Sequence, residues 1–285
     1  MRAGGLLLVV ALLGSDGAWA WGQQGHHYLA THALDALPTT HCLRQWLAAR
    51  ADNGFREASM APDVRRERDS ETFDPHEGPR HYLDVDAVTP PASYPRELEA
   101  VVKQFGEARA EKLGRLPWHV ESVLSELTAL FKKGDEPAVA TAFAEATHYI
   151  SDAYSPLHAT LEYNPKLGPE DGDGAHIRYE ERMFEPAGRL DEVAAAVAVP
   201  RATKAKSPRD AKFEAILSGL PLAGQIVAAD VAAKGDATKL FAATKALTAR
   251  RFSEAIRAET DLLVRAWKDA GSPRLPAMPD KCSMK

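Results

Sequence analysis

Long runs of Ala, Leu, Glu, Lys and Arg, with almost no alternating β-branched stretch, confine this chain to helices. The pattern gives helices over about 26–37, 42–50, 97–113, 118–133, 136–154, 175–184, 190–197, 210–233 and 237–270, the last long enough to be two. Pro38 stops the first and Pro156 ends the run that begins at Glu136. Residues 52–94 differ. Asn53-Gly54, Pro62, Pro75, Gly78-Pro79 and Pro90-Pro91 interrupt any long period, so this stretch reads as a long connection carrying short helices. Residues 162–175, with Pro165, Gly168, Pro169, Gly172 and Gly174, read as a second loop. Ordered loops of that length are usually functional. No internal repeat or low-complexity block interrupts the pattern, and Lys204 to Arg209 reads as a small solvated basic loop. The expected fold class is all-α: a single multi-helix bundle with long loops, forming one domain over 21–285.

The first twenty residues stand apart. Arg2 precedes an apolar run from Gly4 to Gly14, and Ala18-Trp19-Ala20 fits the small-x-small rule for signal cleavage. The run is too short to span a bilayer as a helix. Export and a cut between Ala20 and Trp21 are expected, giving a periplasmic or extracellular protein. No later stretch reads as a membrane span, so the mature form is expected to be soluble, and no protein partner is expected. The formal net charge of −5 argues against a broad basic face for nucleic acid but not against local phosphate binding through metal. Two cysteines, Cys42 and Cys282, lie near the two ends. In an oxidising compartment they can pair as one disulfide or stay as two thiols, and sequence alone leaves both open. They are too few for a thiolate zinc site.

The chemistry lies where histidine and carboxylate fall at helical spacing. His148 and Asp152 are four residues apart, as are His176 and Glu180, so each pair shares one helix face. His158 follows Asp152 just past the Pro156 break, and Asp63 and His81 lie upstream. Imidazole nitrogens and carboxylate oxygens are ligands for divalent ions such as zinc, at about 2.0–2.2 Å, so they must converge. Each pair by itself is also what a surface helix carries for ordinary i, i+4 stabilisation.

Taken together, Trp21-Gly-x-x-Gly-His26, Asp63, His81-Tyr-Leu-Asp84, His148-x3-Asp152-x5-His158 and His176-x3-Glu180 resemble the zinc-dependent phospholipase C and single-strand-specific nuclease superfamily. The likeness covers most of 21 to about 186, in order. It implies an all-helical fold with three zinc ions in a cleft. One zinc would take Asp63, His81, His148 and Asp152; a second, His158, His176 and Glu180; the third, the freed amine and carbonyl of Trp21 with His26 and Asp152. The activity implied is phosphodiester hydrolysis. Asp63 would orient or deprotonate the attacking water, Arg66 would contact phosphate, and Tyr82 and Asp84 would contact the rest of the substrate. Glu180 as last ligand and the 17-residue interval between His158 and His176 lean to the phospholipase branch, on a phospholipid head group. The Trp-Gly-x-x-Gly-His opening and the Asp63–Arg66 spacing look like the nuclease branch, on single-stranded nucleic acid. The acidic-and-aromatic choline pocket does not carry over, since Gln24, Val64 and Gly78 stand at its positions.

Two other classes are open to this sequence. Glu145-x-x-His148 is the signature of ferritin-like di-iron helices, although the chain holds no second copy. An exported helical metal-binding or adhesion module without catalysis is the other, and Asp63 argues against it, because a closed structural site needs no water-activating acid.

Overall fold

The structure, a computed structural model, describes residues 21–200 and 207–284. The expected signal segment 1–20 and Lys204 to Lys206 of the basic loop lie outside the described residues. Eleven α-helices are present among the described residues: α1 Gly22–His32, α2 Cys42–Arg50, α3 Asn53–Arg66, α4 Leu98–Phe105, α5 Glu107–Lys112, α6 Leu116–Lys133, α7 Glu136–Asp152, α8 Gly174–Glu180, α9 Arg189–Ala194, α10 Pro208–Ala233 and α11 Ala237–Asp269. Short 3₁₀ turns link them, among them Gly78–His81 and Pro156–Ala159. No strand is present among these residues beyond one isolated bridge between His41 and Ser283. The all-α expectation holds.

The departures have local causes. Asn53-Gly54 and Pro62 had marked a loop, yet α3 runs through both. Asp52 caps it by accepting from the Phe55 amide at 3.0 Å, which satisfies a donor that the first turn leaves free. Pro62 cannot donate to Ala58, which loosens the backbone ladder one residue before Asp63. The expected 97–113 helix is instead two, α4 and α5, split at Gly106, whose φ of 78° no L side chain adopts readily. The 237–270 stretch is one helix of 33 residues, capped by Asp236. Ser207 caps α10, so the end of the basic loop is a helix start, and Arg209 pairs with Glu97 at 2.6 Å rather than standing in solvent.

Helix α10 also passes, by length and composition alone, the test for a membrane-crossing helix, contrary to the expectation that no later stretch would. In the fold its Phe213, Ile216, Ala223 and Ile226 are buried and it packs against α6 and α11.

Two apolar clusters hold the bundle. The larger gathers Trp46, Phe131, Phe143, Ile150, Phe213 and Trp267 from α2, α6, α7, α10 and α11. The smaller centres on Trp21, Leu29, Tyr179, Phe252 and Ile256. Each fully buried side chain of this size contributes roughly 1.5–3 kcal/mol. Helix α7 runs between α3, α6 and α11, and its last two turns carry His148 and Asp152. A disulfide joins Cys42 to Cys282. Around it the Cys42 amide donates to the Ser283 carbonyl and the Ser283 amide to that of Thr40, both at 2.8 Å.

Candidate metal centre

Six elements deliver polar side chains to one buried region. His26 comes from α1, Asp63 from α3, His81 from the Gly78–His81 turn, His148 and Asp152 from α7, His158 from the next turn, and His176 and Glu180 from α8. They form three groups, His26–His148–Asp152, Asp63–His81–His148 and His158–His176–Glu180, and in each the donor atoms lie within 4.8 Å of one another. All eight residues are buried.

Asp152 sits at the junction. Its Oδ1 lies 3.3 Å from His26 Nε2, while Oδ2 lies 2.9 Å from His81 Nδ1 and 3.5 Å from His148 Nε2. Asp63 Oδ1 is 3.7 Å from His81 Nδ1 and from His148 Nε2. In the third group His176 Nε2 is 2.5 Å from Glu180 Oε2, and His158 Nε2 is 3.9 Å from it. The side chains of the expected sets come together in part. His158, His176 and Glu180 form one group; Asp63, His81 and His148 form a second, which Asp152 meets through His81 and His148, and His26 meets Asp152. His148 stacks on His26 at 3.8 Å and belongs to both of the first two groups, while Trp21 joins none of the three.

Outer hydrogen bonds decide which nitrogen faces inward. The Nδ1 proton of His148 is donated to the Ser59 carbonyl at 2.8 Å, in the turn that Pro62 loosens. His158 Nδ1 donates likewise to the His81 carbonyl at 2.6 Å. Both rings thus turn Nε2 toward the group, as a ligand must. The Ser155 hydroxyl donates to Glu180 Oε1, and the Ser151 hydroxyl lies 3.2 Å from His26 Nδ1.

The electrostatics are those of a cage built for a cation. Burial pushes the Asp63 carboxyl up to about 7, against the pull of Arg66. Burial, reinforced by Asp63, holds Asp152 well above the carboxylate range. Burial also keeps His81 and His148 well below the usual imidazole value and His158 near 4, so all three are neutral and able to donate lone pairs. Burial acts to raise Glu180 too, yet His176, His158 and Ser155 bring it below its ordinary value. Asp63 Oδ2 and His176 Nδ1 are buried with no hydrogen-bond partner, and Asp152 Oδ1 and Glu180 Oε2 face imidazole nitrogens. Leaving such groups unpaired costs about 1–3 kcal/mol each, more when charged. A divalent ion in each group would satisfy them, so the donor set fits metal.

The glycines of the Trp-Gly-x-x-Gly-His stretch have steric reasons. Gly22, at φ 55°, lies so close to the Glu180 carbonyl that a Cβ would sit 2.7 Å from it, and a Cβ on Gly25 would sit 2.8 Å from that of Trp21. Trp21 heads α1 with its indole fully buried, donating to the Ser151 carbonyl at 3.1 Å and edge-on to Phe252. Its carbonyl accepts from the Gly25 amide.

A cleft of about 240 Å³ opens beside the groups, lined by Arg66, Tyr82, Asp84, His158, Tyr163 and His176. Arg66 Nη1 donates to Asp63 Oδ1 at 3.0 Å. Tyr82 donates its hydroxyl to the Lys112 carbonyl, and Asp84 is pushed up to about 7 by burial and then by Asp86. Sequence reasoning missed Tyr163, which stands edge-on to His176 from a Gly/Pro loop with no periodic signal, and Lys112 at the cleft wall. It also missed Glu77, fully buried and four residues before His81, the spacing that had flagged the other pairs. Glu145, the acid of the di-iron signature, pairs instead with Arg65 at 2.8 Å and joins none of the three groups. Neither a scan of protein-family models nor a search of curated proteins gives a match to this chain.

Proposed function

We propose that this chain is an exported metal-dependent phosphodiesterase of the phospholipase C and single-strand-specific nuclease type, holding three zinc ions. The observation that carries the proposal is the convergence of eight buried His, Asp and Glu residues into three donor groups, in which the Asp63 Oδ2 and His176 Nδ1 atoms among others are left without a hydrogen-bond partner. The adjoining cleft, with Arg66 at its wall, gives a phosphodiester a place to sit. Together with the ordered motifs from Trp21 to Glu180, this favours the resemblance over a di-iron or purely structural site. The Cys42–Cys282 disulfide suits an oxidising compartment.

Clustered zinc supplies a nucleophilic hydroxide at neutral pH and draws charge off phosphate oxygens. The protein's own part is positional. Asp63 turns Oδ1 toward His81 and His148, where Arg66 also holds it, and its second oxygen is buried without a hydrogen-bond partner; the carboxylate would orient water and take its proton. Arg66, which lines the cleft, would contact the phosphate. Tyr82, Asp84 and Tyr163 wall the space for the group beyond the phosphate. Cleavage after Ala20 would free an amine at Trp21, where Gly22 already brings the backbone against Glu180.

The preferred substrate is a phospholipid head group, on the strength of Glu180 as last acid and the short 159–175 interval; choline lipids are disfavoured by Gln24, Val64 and Gly78. Phosphatidylcholine, phosphatidylethanolamine and single-stranded DNA are to be offered to the protein purified with Trp21 first, with and without chelator. Chelator-sensitive hydrolysis of a phospholipid is expected. Cleavage of DNA alone overturns the branch, and activity that survives metal removal overturns the proposal. A form with one extra residue before Trp21 should bind one zinc fewer.

A further inference from the structure

His81 differs from the other inward-facing imidazoles. His148 and His158 give Nδ1 to backbone carbonyls and turn Nε2 inward, whereas His81 turns Nδ1 inward, 2.9 Å from Asp152 Oδ2 and 3.2 Å from His148 Nε2. Its Nε2 points away and is buried without a hydrogen bond. The acidic oxygen facing that nitrogen, at 3.3 Å, is Oε1 of Glu77. Glu77 is itself fully buried and its carboxylate is clamped. Arg65 Nε and Arg80 Nη1 donate to Oε2 at 3.0 and 2.9 Å, and the Tyr149 hydroxyl donates to Oε1. Two of these clamps come from the helices that carry ligands: Arg65 lies two residues after Asp63, and Tyr149 one after His148.

We infer that Glu77 is a positioning residue that takes the Nε2 proton of His81, fixes it as an Nδ1 donor, and so governs one of the three metals selectively. The inference rests on the metal-centre reading above. A carboxylate behind an imidazole fixes its tautomer and raises its basicity, and removing such a partner typically costs 10–100-fold in metal affinity. The backbone carbonyls behind His148 and His158 are neutral, whereas His81 has an anionic acceptor at its back. The two arginines hold that anion in place without occupying the oxygen that faces His81.

The test uses the mature protein loaded with zinc. Chelator competition with metal analysis on wild type and Glu77→Gln should show one zinc of three weakened by about 10–100-fold in the variant, the other two unchanged. Arg80→Met is the control. It removes a clamp on Oε2 but leaves the oxygen that faces His81, so it should keep all three zincs at wild-type affinity. Equal zinc loss in both variants, or none in Glu77→Gln, overturns the inference. Because Glu77→Gln can fail to fold, a second readout uses wild type alone. Long-range ¹H–¹⁵N spectra of the zinc-loaded protein should show the His81 ring proton on Nε2 and those of His148 and His158 on Nδ1; a His81 proton on Nδ1 overturns the inference. A wild type that binds no zinc overturns the metal-centre reading itself, whereas a wild type that binds three with an unchanged variant overturns the role of Glu77 alone.

Discussion

Two regions of this molecule bury several titratable side chains, and they answer the same electrostatic problem differently. In the candidate metal centre carboxylates and imidazoles converge, and Arg66 is the cation paired with Asp63 there. Between α10 and α11 the cations are built in. Lys212 is fully buried, donates to the Ile150 carbonyl at 3.3 Å and lies 4.6 Å over the Tyr154 ring. Arg251 reaches the Tyr154 carbonyl at 2.8 Å and Glu254 at 2.6 Å. Nearby Glu259 has both carboxylate oxygens buried with no hydrogen-bond partner. Burial pushes Lys212 down to about 7 and holds Glu259 well above its ordinary value, each opposing the other's shift. Orphaned oxygens alone therefore do not mark a metal site. Glu259 has them, yet it joins none of the donor groups among the described residues. Convergence of nitrogen and oxygen donors is what separates a cage from a buried neutralised pair.

The sharpest way to break that contrast is Asp152→Asn. The change keeps volume but removes the carboxylate whose two oxygens face His26 on one side and His81 and His148 on the other, so the first two donor groups should both lose metal. Activity should fall by more than the roughly 100-fold that losing an outer partner costs. Unchanged metal content by elemental analysis would dissolve the distinction. Second in size is the double variant Cys42→Ser/Cys282→Ser. It should lower stability by about 2–5 kcal/mol in denaturant melts while leaving metal stoichiometry intact, since the seam lies in neither region.

Lys212→Met probes the other region. Replacing the amine by an apolar side chain removes the cost of burying an ionisable group, and the loss of Lys212 lets burial raise Glu259 further above its ordinary value. The gain depends on pH with a definite sign. The Lys212 amine sits near 7 in the fold against about 10.4 unfolded, so folding opposes its protonation below 7 and the opposition fades as pH rises toward 10. The stability advantage of the variant should be full below pH 7 and shrink above it. Melts that show a pH-independent difference would mean that Lys212 is charged in the fold. The smallest effect belongs to Glu145→Gln. It breaks a half-buried pair with Arg65, worth under about 1 kcal/mol, and should leave bound metal untouched. Loss of metal in that variant would revive the di-iron reading.

These contrasts also explain what the sequence makes legible. His148–Asp152 and His176–Glu180 are readable because a helix turns a spacing of four into a shared face, a local rule that tertiary packing left intact. Helix α3 was not readable, since Asn53-Gly54 and Pro62 are breakers by local chemistry. They are overridden by the Asp52 cap and by packing against α7. Glu77 carried the same spacing to His81 and was within reach of the rule. Tyr163 and Lys112 were not, because their places at the cleft depend on contacts between loops and helices far apart in the chain. The pairing of Cys42 with Cys282, 240 positions apart, is of that kind as well.

That seam has a consequence for how the chain withstands proteases. A backbone cut anywhere between residues 42 and 282 leaves two pieces still joined through sulfur, and still laced together by the backbone hydrogen bonds of Ser283 with Thr40 and Cys42. An exopeptidase working inward from the far end meets a covalent stop at Cys282, before it can reach the long α11 helix. A nick thus becomes a scar that the fold can keep, not the first step of its disassembly.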